Sequence, residues 1–154
     1  MEKTNAMRQL DRKKIAYRVH SYDGGALSGT EVAAALGQDA ARVFKTLVTV
    51  AKSGGHYVFM IPVAASLDLK KAAAAVGEKA LSMLPQKELL PLTGYVHGGC
   101  SPIGMKKQFP TVLHASAMEF DTICFSAGRI GLQIEASPAA LSSVVPLKTA
   151  DVTD

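Results

Sequence analysis

The sequence predicts a single α/β domain, spanning residues 1–154, in which short helices flank a curved, mixed and largely antiparallel sheet or barrel. Three observations predict this fold class. About seven short β-rich segments are interspersed with short helical segments, capping residues and glycines bound the helices, and no segment repeats another. The alternation of strand and helix is too irregular for a doubly wound parallel sheet, and the chain is long enough to bury its own core.

Two helices and one strand are predicted in the first part of the chain. Apolar residues recur near helical spacing at the N-terminus, and a β-rich segment follows. The segment Ser28-Gly29-Thr30-Glu31 has the form of a capping box, and a glycine is typical of the residue that ends a helix. The predicted elements are a helix over residues 1–14, a strand over residues 17–22 and a helix that runs from Ser28 to Gly37.

A β-hairpin and further short helices are predicted in the middle of the chain. Two β-rich segments are joined by Ser53-Gly54-Gly55, which is typical of a hairpin turn. Ser66 is the predicted N-cap of a helix that Gly77 ends. The predicted elements are strands over residues 45–52 and 56–63, the helix from Ser66 to Gly77, a short helix over residues 85–90 and a strand over residues 93–97.

Three more strands and a final helix are predicted in the last third of the chain. The pair Ser137-Pro138 is typical of a helix start, because a proline at the first helical position gives up only an N–H group that would be unpaired there. The predicted elements are strands over residues 111–115, 122–126 and 132–136, and a short helix that begins after Ser137.

The segment Arg42-Val43-Phe44-Lys45-Thr46-Leu47-Val48-Thr49-Val50 places a lysine in the middle of a largely apolar strand. One interpretation is an edge strand, where the lysine stem packs and its ammonium group reaches water and prevents edge pairing. The other is a lysine on the floor of a cleft that receives a negatively charged group. The strand alone leaves both interpretations open.

The composition narrows the class of protein. The net charge is +4, and basic residues are clustered, as in Lys70-Lys71 and Lys106-Lys107. Such clusters suit either a polyanion held by its phosphates or a solvated helix face. The chain shows no signal peptide and no segment of about 20 apolar residues, and its cysteines, Cys100 and Cys124, lack zinc or disulfide spacing. We therefore expect a cytoplasmic protein that uses neither membrane, metal nor cofactor.

A glycine-rich segment, Gly94-Tyr95-Val96-His97-Gly98-Gly99-Cys100-Ser101-Pro102-Ile103-Gly104, forms the second informative motif. Ser101 is the predicted cap of a helix that begins at Pro102, whose free amides would attract a negative or partly negative oxygen. Met105-Lys106 follows where a phosphate-binding Walker loop needs Lys-Ser or Lys-Thr, so that motif is excluded. A tight turn with ordinary caps remains the alternative to an oxyanion pocket.

Familiar catalytic motifs are missing. The four histidines lack metal-ligand spacing, and neither a nucleophile elbow nor a zinc-protease motif occurs. Cys100 could act as a nucleophile beside His97, but cysteine is also among the most frequently buried residue types, and no third orienting group is evident.

Four segments in this order resemble the YbaK family of free-standing aminoacyl-tRNA deacylases, which are relatives of the editing domain inserted in bacterial prolyl-tRNA synthetase. The likeness runs over essentially the whole chain. The segments are Val43-Phe44-Lys45-Thr46-Leu47, Ser66-Leu67-Asp68-Leu69-Lys70-Lys71, the glycine-rich segment from Gly94 to Gly104, and Gly131-Leu132-Gln133-Ile134-Glu135.

The resemblance implies hydrolysis of cysteine wrongly attached to proline-accepting tRNA. Cysteine and proline are close in size, and a pocket rejects a near-isostere by only about one or two hundredfold, so a second hydrolytic site is needed. The expected partners are the acceptor end of an aminoacylated tRNA and prolyl-tRNA synthetase in a ternary complex. A deacylase for alanine, serine or threonine and a non-catalytic tRNA-binding module are the alternatives.

The resemblance also implies the site residues. Lys45 matches the essential lysine that meets the phosphate or sugar of the tRNA 3′ end, and the substrate thiol is expected to attack its own ester, so no enzyme nucleophile is needed. The full set is Lys45, Gly98 and Gly99 as catalytic residues, and Tyr22, Thr46, Ser101, Ser126 and Gln133 as substrate-binding residues.

Two positions depart from the family pattern. Gln133 stands where cysteine-specific relatives often carry aspartate, which weakens the case for an ionic anchor of the substrate ammonium group, although a neutral amide can still accept a hydrogen bond. The segment Ala26-Leu27-Ser28 lacks a phenylalanine that such relatives can have there. Both departures affect the expected amino-acid specificity and not the expected fold.

Overall fold

A computed structural model describes residues 2–23, 25 and 27–154 of the chain. Within these residues the fold contains five α-helices and eight β-strands. The helices are α1 Asn5–Arg12, α2 Gly29–Leu36, α3 Leu69–Val76, α4 Leu89–Thr93 and α5 Pro138–Ser142. The strands are β1 Arg18–Ser21, β2 Phe44–Ala51, β3 His56–Pro62, β4 Leu81–Met83, β5 Thr111–His114, β6 Ile123–Ser126, β7 Leu132–Ala136 and β8 Leu147–Ala150.

The strands form two sheets. The larger sheet has five strands in the order β4-β2-β3-β5-β8, and the smaller sheet has three in the order β1-β7-β6. The pairs β2–β3 and β2–β4 and both pairs of the small sheet are antiparallel, whereas β5 is parallel to β3 and to β8. A bridge between Val43 and Cys124 connects the two sheets. The predicted mixed and largely antiparallel α/β architecture is confirmed.

The main core lies on one face of the small sheet. Helix α1 buries Met7 and Leu10 in the same cluster as Phe125 and Ile134, which belong to β6 and β7. Burial of each such side chain is worth about 1.5–3 kcal/mol, so this cluster anchors the helix to the sheet. The side chain of Thr4 accepts a hydrogen bond from Met7 N and caps the helix. The predicted start of this helix at Met1 lies outside the described residues.

Local signals located several elements correctly. The hairpin β2–β3 pairs Phe44 with Pro62 and continues to Val50 opposite His56, as its turn sequence predicted. The capping box is present, because the Ser28 side chain accepts from Glu31 N while Glu31 accepts from Ser28 N. Such reciprocal caps satisfy amides that a helix end otherwise leaves unpaired.

Three predictions in the middle of the chain are wrong. Residues 93–97 do not form a strand, because Gly94 adopts a left-handed φ of 86° and ends α4 at Thr93. The cap of α3 is Asp68, whose carboxylate accepts from Lys70 N and Lys71 N, and not Ser66. No helix begins at Pro102; the chain forms bends there, and the Ser101 side chain accepts a hydrogen bond from Ile103 N instead.

Two strands were missed by the sequence analysis. Strand β4 is only three residues long and contains a single buried side chain, Leu81. Strand β8 has no fully buried side chain and is recruited by parallel pairing with β5. Neither strand shows the alternation of apolar and polar residues that marks a half-buried strand.

The described part of the chain contains no helix that combines the length and the apolar character needed to cross a bilayer.

Candidate active site

The candidate site lies where one edge of β2 has no partner strand. On one side β2 pairs with β3 along its whole length, but on the other side β4 pairs only with residues 49–51. The bridge from β6 reaches only Val43. A cavity of about 340 Å³ lies beside the intervening segment and is lined by Val43, Phe44, Lys45, Thr46 and Leu47. Because the cavity follows an open strand edge, side chains from both faces of the strand reach it.

The register decides which peptide groups face this edge. Val63 N donates to Val43 O. Along an antiparallel strand, every second residue directs its N–H and C=O groups toward the same neighbouring strand. The even-numbered residues of β2 therefore direct their peptide groups away from β3, in agreement with the hydrogen bond from Leu84 N to Val48 O. Thr46 consequently offers a peptide N–H and C=O at the stretch of edge beside the cavity.

Lys45 lines this cavity and is partly buried. Desolvation by burial lowers the pKa of its ammonium group below the ordinary value for lysine. Among residues 2–23, 25 and 27–154, no hydrogen bond or ion pair involves Lys45 Nζ. Strand β2 is not an outer strand of the five-stranded sheet, and its edge is open at Lys45 only beside the cavity, which favours the cleft interpretation. A nearby anion would restore the interaction energy that this cation loses by leaving water.

Two side chains from the small sheet complete the polar wall. Ser126 and Gln133 are paired across β6 and β7, and both line the cavity. The Ser126 hydroxyl oxygen accepts a hydrogen bond from Gly128 N, whereas Gln133 Oε1 is buried and lacks a partner within the described part of the chain. Thr46 Oγ1 is likewise buried without a partner there. Unpaired buried polar atoms cost about 1–3 kcal/mol each, and these two belong to residues that line the cavity, where a ligand could satisfy them.

Tyr22 and Gly98 lie at the cavity as the resemblance implied. Tyr22 is held by a hydrogen bond from its own N–H to Gly131 O, next to β7. Gly98 is exposed and has a φ of +86°, which favours glycine over other residues. His97 also lines the cavity, although its spacing gave no signal in the sequence. Further lining residues missed by sequence reasoning are Leu27, Gly29, Val32, Val63 and Leu89.

Gly99 and Ser101 do not line the cavity with the other expected site residues. A Cβ atom at residue 99 would lie 2.9 Å from Ile130 N, so glycine permits a close contact between two backbone segments. Gly99 N also donates to Val96 O. Ser101 is fully buried, and its hydroxyl oxygen accepts from Ile103 N. Both residues shape the turn that carries Gly98, because their polar groups are already used within it.

Cys100 lines the cavity but is not poised as a nucleophile. Burial raises the pKa of its thiol to about 12, so the reactive thiolate is scarce at neutral pH. No hydrogen bond joins Cys100 to His97 within the residues that the structure describes. The arrangement therefore lacks the base that a catalytic cysteine needs.

Comparison with known families decides the relationship. The model of the aminoacyl-tRNA editing domain matches residues 25–143 of this chain. The chain belongs to the aminoacyl-tRNA editing domain family. The resemblance found in the sequence is thereby confirmed.

Individual relatives agree with this editing domain. A protein of Enterococcus faecalis with the provisional name Cys-tRNA(Pro)/Cys-tRNA(Cys) deacylase EbsC is 46% identical over 154 residues, which is 99% of this chain and 94% of the relative. A structure described as a provisional trans-editing enzyme for prolyl-tRNA synthetase has a TM-score of 0.84 at 23% identity, with 99% of both chains covered. The crystal structure of a hypothetical protein has a TM-score of 0.87 at 23% identity, and the match covers 98% of this chain and 100% of the hypothetical protein. At these identities the two structures establish the fold.

The editing domain has a second polar cluster, centred on Glu135, on the same side of the small sheet. Glu135 Oε1 lies 2.8 Å from His20 Nε2, and Glu135 Oε2 accepts from Thr122 Oγ1 at 2.7 Å and from Arg42 Nη2 at 3.2 Å. The hydrogen bond from Thr122 is the largest of the causes, ahead of that from His20, that lower the pKa of Glu135 to about 2. Every oxygen of this carboxylate therefore has a partner.

The same cluster holds three residue types that can bind metals. One ligand atom each from His20, Cys124 and Glu135 lies within 4.8 Å of the others. However, the Glu135 oxygens already accept from His20, Arg42 and Thr122, and burial followed by the charge of Glu135 raises the pKa of Cys124 to about 11. A protonated thiol and an adjacent guanidinium group both oppose cation binding. These groups are better explained as an ion-pair network that connects β1, β6 and β7.

Proposed function

We propose that this editing domain hydrolyses cysteine from mischarged Cys-tRNA(Pro), acting in trans on the acceptor end of the tRNA. The observation that carries the proposal is a small cavity that combines one unpaired ammonium group, from Lys45, with two buried and unpaired oxygens, from Thr46 and Gln133. A positively charged group suits a tRNA phosphate, and the oxygens suit hydrogen-bond donors of an amino acid. The name of the Enterococcus faecalis relative supports the same substrate class.

Lys45 is proposed to hold the phosphate or ribose of the terminal nucleotide. Its ammonium group is partly desolvated, so contact with a phosphate regains more energy than the same contact in water. Gln133 Oε1 and Thr46 Oγ1 are proposed to accept hydrogen bonds from the substrate ammonium and thiol groups. Tyr22 and Ser126 then line the pocket that surrounds the aminoacyl group.

The substrate is proposed to supply the nucleophile. The cysteine sulfur attacks its own ester carbonyl carbon and forms a C–S bond, while the bond from that carbon to the ribose oxygen breaks. The thiol proton ends on the ribose oxygen, and the products are a thiolactone and tRNA with a free 3′ end. Water then opens the thiolactone to free cysteine. Holding sulfur against carbonyl in a closed cavity supplies proximity, which can be worth several kcal/mol, about 7–11 in the best oriented cases.

The backbone is proposed to stabilise the oxyanion that develops during this attack. Gly98 is the donor of choice, since it lines the cavity, whereas the amide of Gly99 is already bonded to Val96 O. Preorganised amides of this kind typically contribute about a hundredfold or more to the rate. Gly99 and Ser101 act by holding the turn in place. No cofactor or metal takes part in this scheme.

Prolyl-tRNA synthetase is proposed as the partner that selects the tRNA. The cavity is large enough for an aminoacyl group and the adjoining nucleotide and not for the tRNA body, so the identity of the tRNA must be read elsewhere. A ternary complex in the cytoplasm would meet this need, because mischarged tRNA is produced there.

The test is to compare deacylation of tRNA(Pro) charged with cysteine, serine or alanine. We expect cysteine to be released fastest, because serine has a weaker nucleophile at the same position and alanine has none. Equal rates on all three would contradict thiol attack and favour a deacylase for several small amino acids. Binding of charged tRNA without accelerated ester loss would overturn the enzymatic proposal in favour of a binding module.

A further inference from the structure

A tight turn is fixed against the rim of the cavity. The turn spans residues 129–132 and is closed by a hydrogen bond from Leu132 N to Arg129 O. A Cβ atom on Gly99 would lie 2.9 Å from Ile130 N and 3.3 Å from Arg129 Cα, and one on Gly98 would lie 3.6 Å from the Ile130 side chain. The glycine pair thus lets the turn approach closely, and its position is set by backbone contacts.

This contact places the backbone of Arg129 beside the glycine pair, of which Gly98 lines the cavity. Gly98 lines the cavity and is exposed, and Arg129 is exposed and belongs to the segment packed directly against Gly98 and Gly99. The long arginine side chain therefore begins within one residue's width of the entrance. Lys45 and Arg129 are consequently carried by separate elements around the same opening.

Within the described residues only three lysines or arginines have an acidic partner, and what sets Arg129 apart from the others is its position beside Gly98 and Gly99. Lys3 pairs with Asp11, Lys71 with Asp151 and Arg42 with Glu135. Across residues 2–23, 25 and 27–154, no ion pair or hydrogen bond involves the Arg129 side chain. An exposed arginine whose backbone packs beside Gly98, next to a cavity that is lined by Lys45, adds to the positive potential on this side of the molecule.

We infer that Arg129 binds a backbone phosphate of the single-stranded tRNA 3′ end, upstream of the nucleotide that carries the amino acid. The inference rests on the proposed function, since it assumes that the esterified nucleotide occupies the cavity. If the terminal ester is bound beside Lys45, the rest of the RNA strand must extend out of the cavity opening. The phosphates of the preceding nucleotides then lie near the rim. The planar guanidinium group can bind two phosphate oxygens at once, whereas an ammonium group acts as a point charge.

This assignment predicts an effect on tRNA binding and not on the chemical step. Arg129→Ala should raise KM about fivefold and leave kcat unchanged, because a phosphate contact is made equally in the ground and transition states. Binding should also depend less on salt. The slope of the logarithm of the association constant against log[salt] should become shallower by about 0.7–0.9, which is the change expected for the loss of one phosphate contact. Arg129→Lys should restore the salt slope, because it keeps the charge, but only part of the affinity, because an ammonium group lacks the paired hydrogen bonds.

The experiment measures two substrates and one uncharged ligand. Wild type, Arg129→Ala, Arg129→Lys and the control Lys52→Ala, which removes an exposed lysine from the distant β2–β3 turn, are compared after confirming equal melting temperatures. Anisotropy titrations with an uncharged acceptor-stem minihelix ending in CCA give the dissociation constant at several salt concentrations. Hydrolysis is followed on the cysteinyl minihelix and on 3′-O-cysteinyl adenosine, which lacks the upstream phosphates.

The inference is supported if Arg129→Ala weakens binding and hydrolysis of the minihelix but leaves hydrolysis of cysteinyl adenosine at the wild-type rate. It is overturned if minihelix binding and its salt slope are unchanged, if Lys52→Ala has the same effect, or if cysteinyl adenosine is affected equally. If wild type hydrolyses neither ester, the proposed function is wrong. The minihelix titration still decides whether Arg129 contacts a phosphate.

Discussion

Two polar clusters share one face of the small sheet and differ in how many of their side-chain oxygens have hydrogen-bond partners. Residues opposite each other and residues two apart along a strand lie on the same face, which places Ser126, Gln133, His20, Glu135 and Cys124 together. Around Glu135, both carboxylate oxygens have partners. Around Gln133, the amide oxygen has none within the described residues.

The difference separates a structural network from a candidate site. The Glu135 carboxylate recovers the cost of its burial through its own hydrogen bonds and so stabilises the fold without a ligand, although Arg42 Nε beside it lacks a partner within the described residues. The cavity cluster leaves Lys45, Thr46 and Gln133 incompletely satisfied and so reduces stability in the free protein. Substitutions in the two clusters should therefore have opposite signatures, with the first affecting stability and the second affecting activity.

The largest expected effect is that of Lys45→Ala on activity. We expect kcat/KM on Cys-tRNA(Pro) to fall by about a hundredfold or more, since Lys45 is the one lysine or arginine that lines the cavity in the described part of the chain. The melting temperature should stay the same or rise, because burial already disfavours this charge in the folded protein. Lys52→Ala is the matched control and should behave as wild type. Full activity of Lys45→Ala would remove Lys45 from the site.

The next effect is that of Glu135→Gln on stability. Because the pKa of Glu135 is about 2 in the folded protein, its carboxylate contributes stability above the ordinary carboxyl pKa, and this contribution is lost as the pH falls through the folded value. At pH 7 we expect the free energy of unfolding of the variant, measured with urea, to be lower than that of wild type by about 2–3 kcal/mol. Its kcat/KM should stay within about threefold of the wild-type value.

The pH dependence provides the control for this comparison. Between pH 5 and about pH 2, the difference in unfolding free energy between wild type and Glu135→Gln should shrink toward zero. Glu88→Gln, at an exposed position, is the matched control and should unfold with the same free energy as wild type at pH 7. A large loss of activity in folded Glu135→Gln would remove the distinction between the two clusters.

Thr46→Val should have a smaller effect, which raises the stability of the protein and lowers its activity. Valine has nearly the same shape but lacks the buried and unpaired hydroxyl group, so we expect the free energy of unfolding to rise by about 1 kcal/mol. The loss of a substrate contact should lower kcat/KM about tenfold. Chemical unfolding and deacylation assays on the same preparation measure both.

Thr49→Val is the matched control in the same strand. Thr49 Oγ1 donates to Tyr57 O, so its loss should destabilise the protein by about 1 kcal/mol without changing activity. If both threonine variants were destabilised equally, the buried hydroxyl of Thr46 would have an unrecognised partner and would belong with the satisfied cluster.

The smallest effect is expected for Cys100→Ala. With its pKa raised to about 12, the thiol remains protonated and contributes only to the cavity wall. Deacylation should remain within about threefold of wild type, measured at neutral pH under reducing conditions. A loss of a hundredfold or more would instead make Cys100 a nucleophile and remove the need for substrate thiol attack.

Local sequence signals predicted the parts of the fold that depend on a few neighbouring residues. The capping box at Ser28, the hairpin turn at Ser53-Gly54-Gly55 and the cap at Ser137 all formed where predicted, because each satisfies backbone groups within its own segment. Predictions failed where distant pairing decides the outcome. Strand β8 is formed by pairing with β5, and in the bends after Ser101 the chain at Gly104 packs closely against Asn5 and Ala6 of α1.

The sequence by itself determined the family, the mixed α/β class and the presence of a lysine in a largely apolar strand. Those properties are written in residue order and short-range chemistry. Only the tertiary structure decided that β4 and β6 stop short of each other along β2, which opens the cavity beside Lys45. It also decided that Gln133 Oε1 has no partner within the described residues while both Glu135 carboxylate oxygens have one. The physical reason is that hydrogen-bond satisfaction in a sheet depends on strands far apart in the chain.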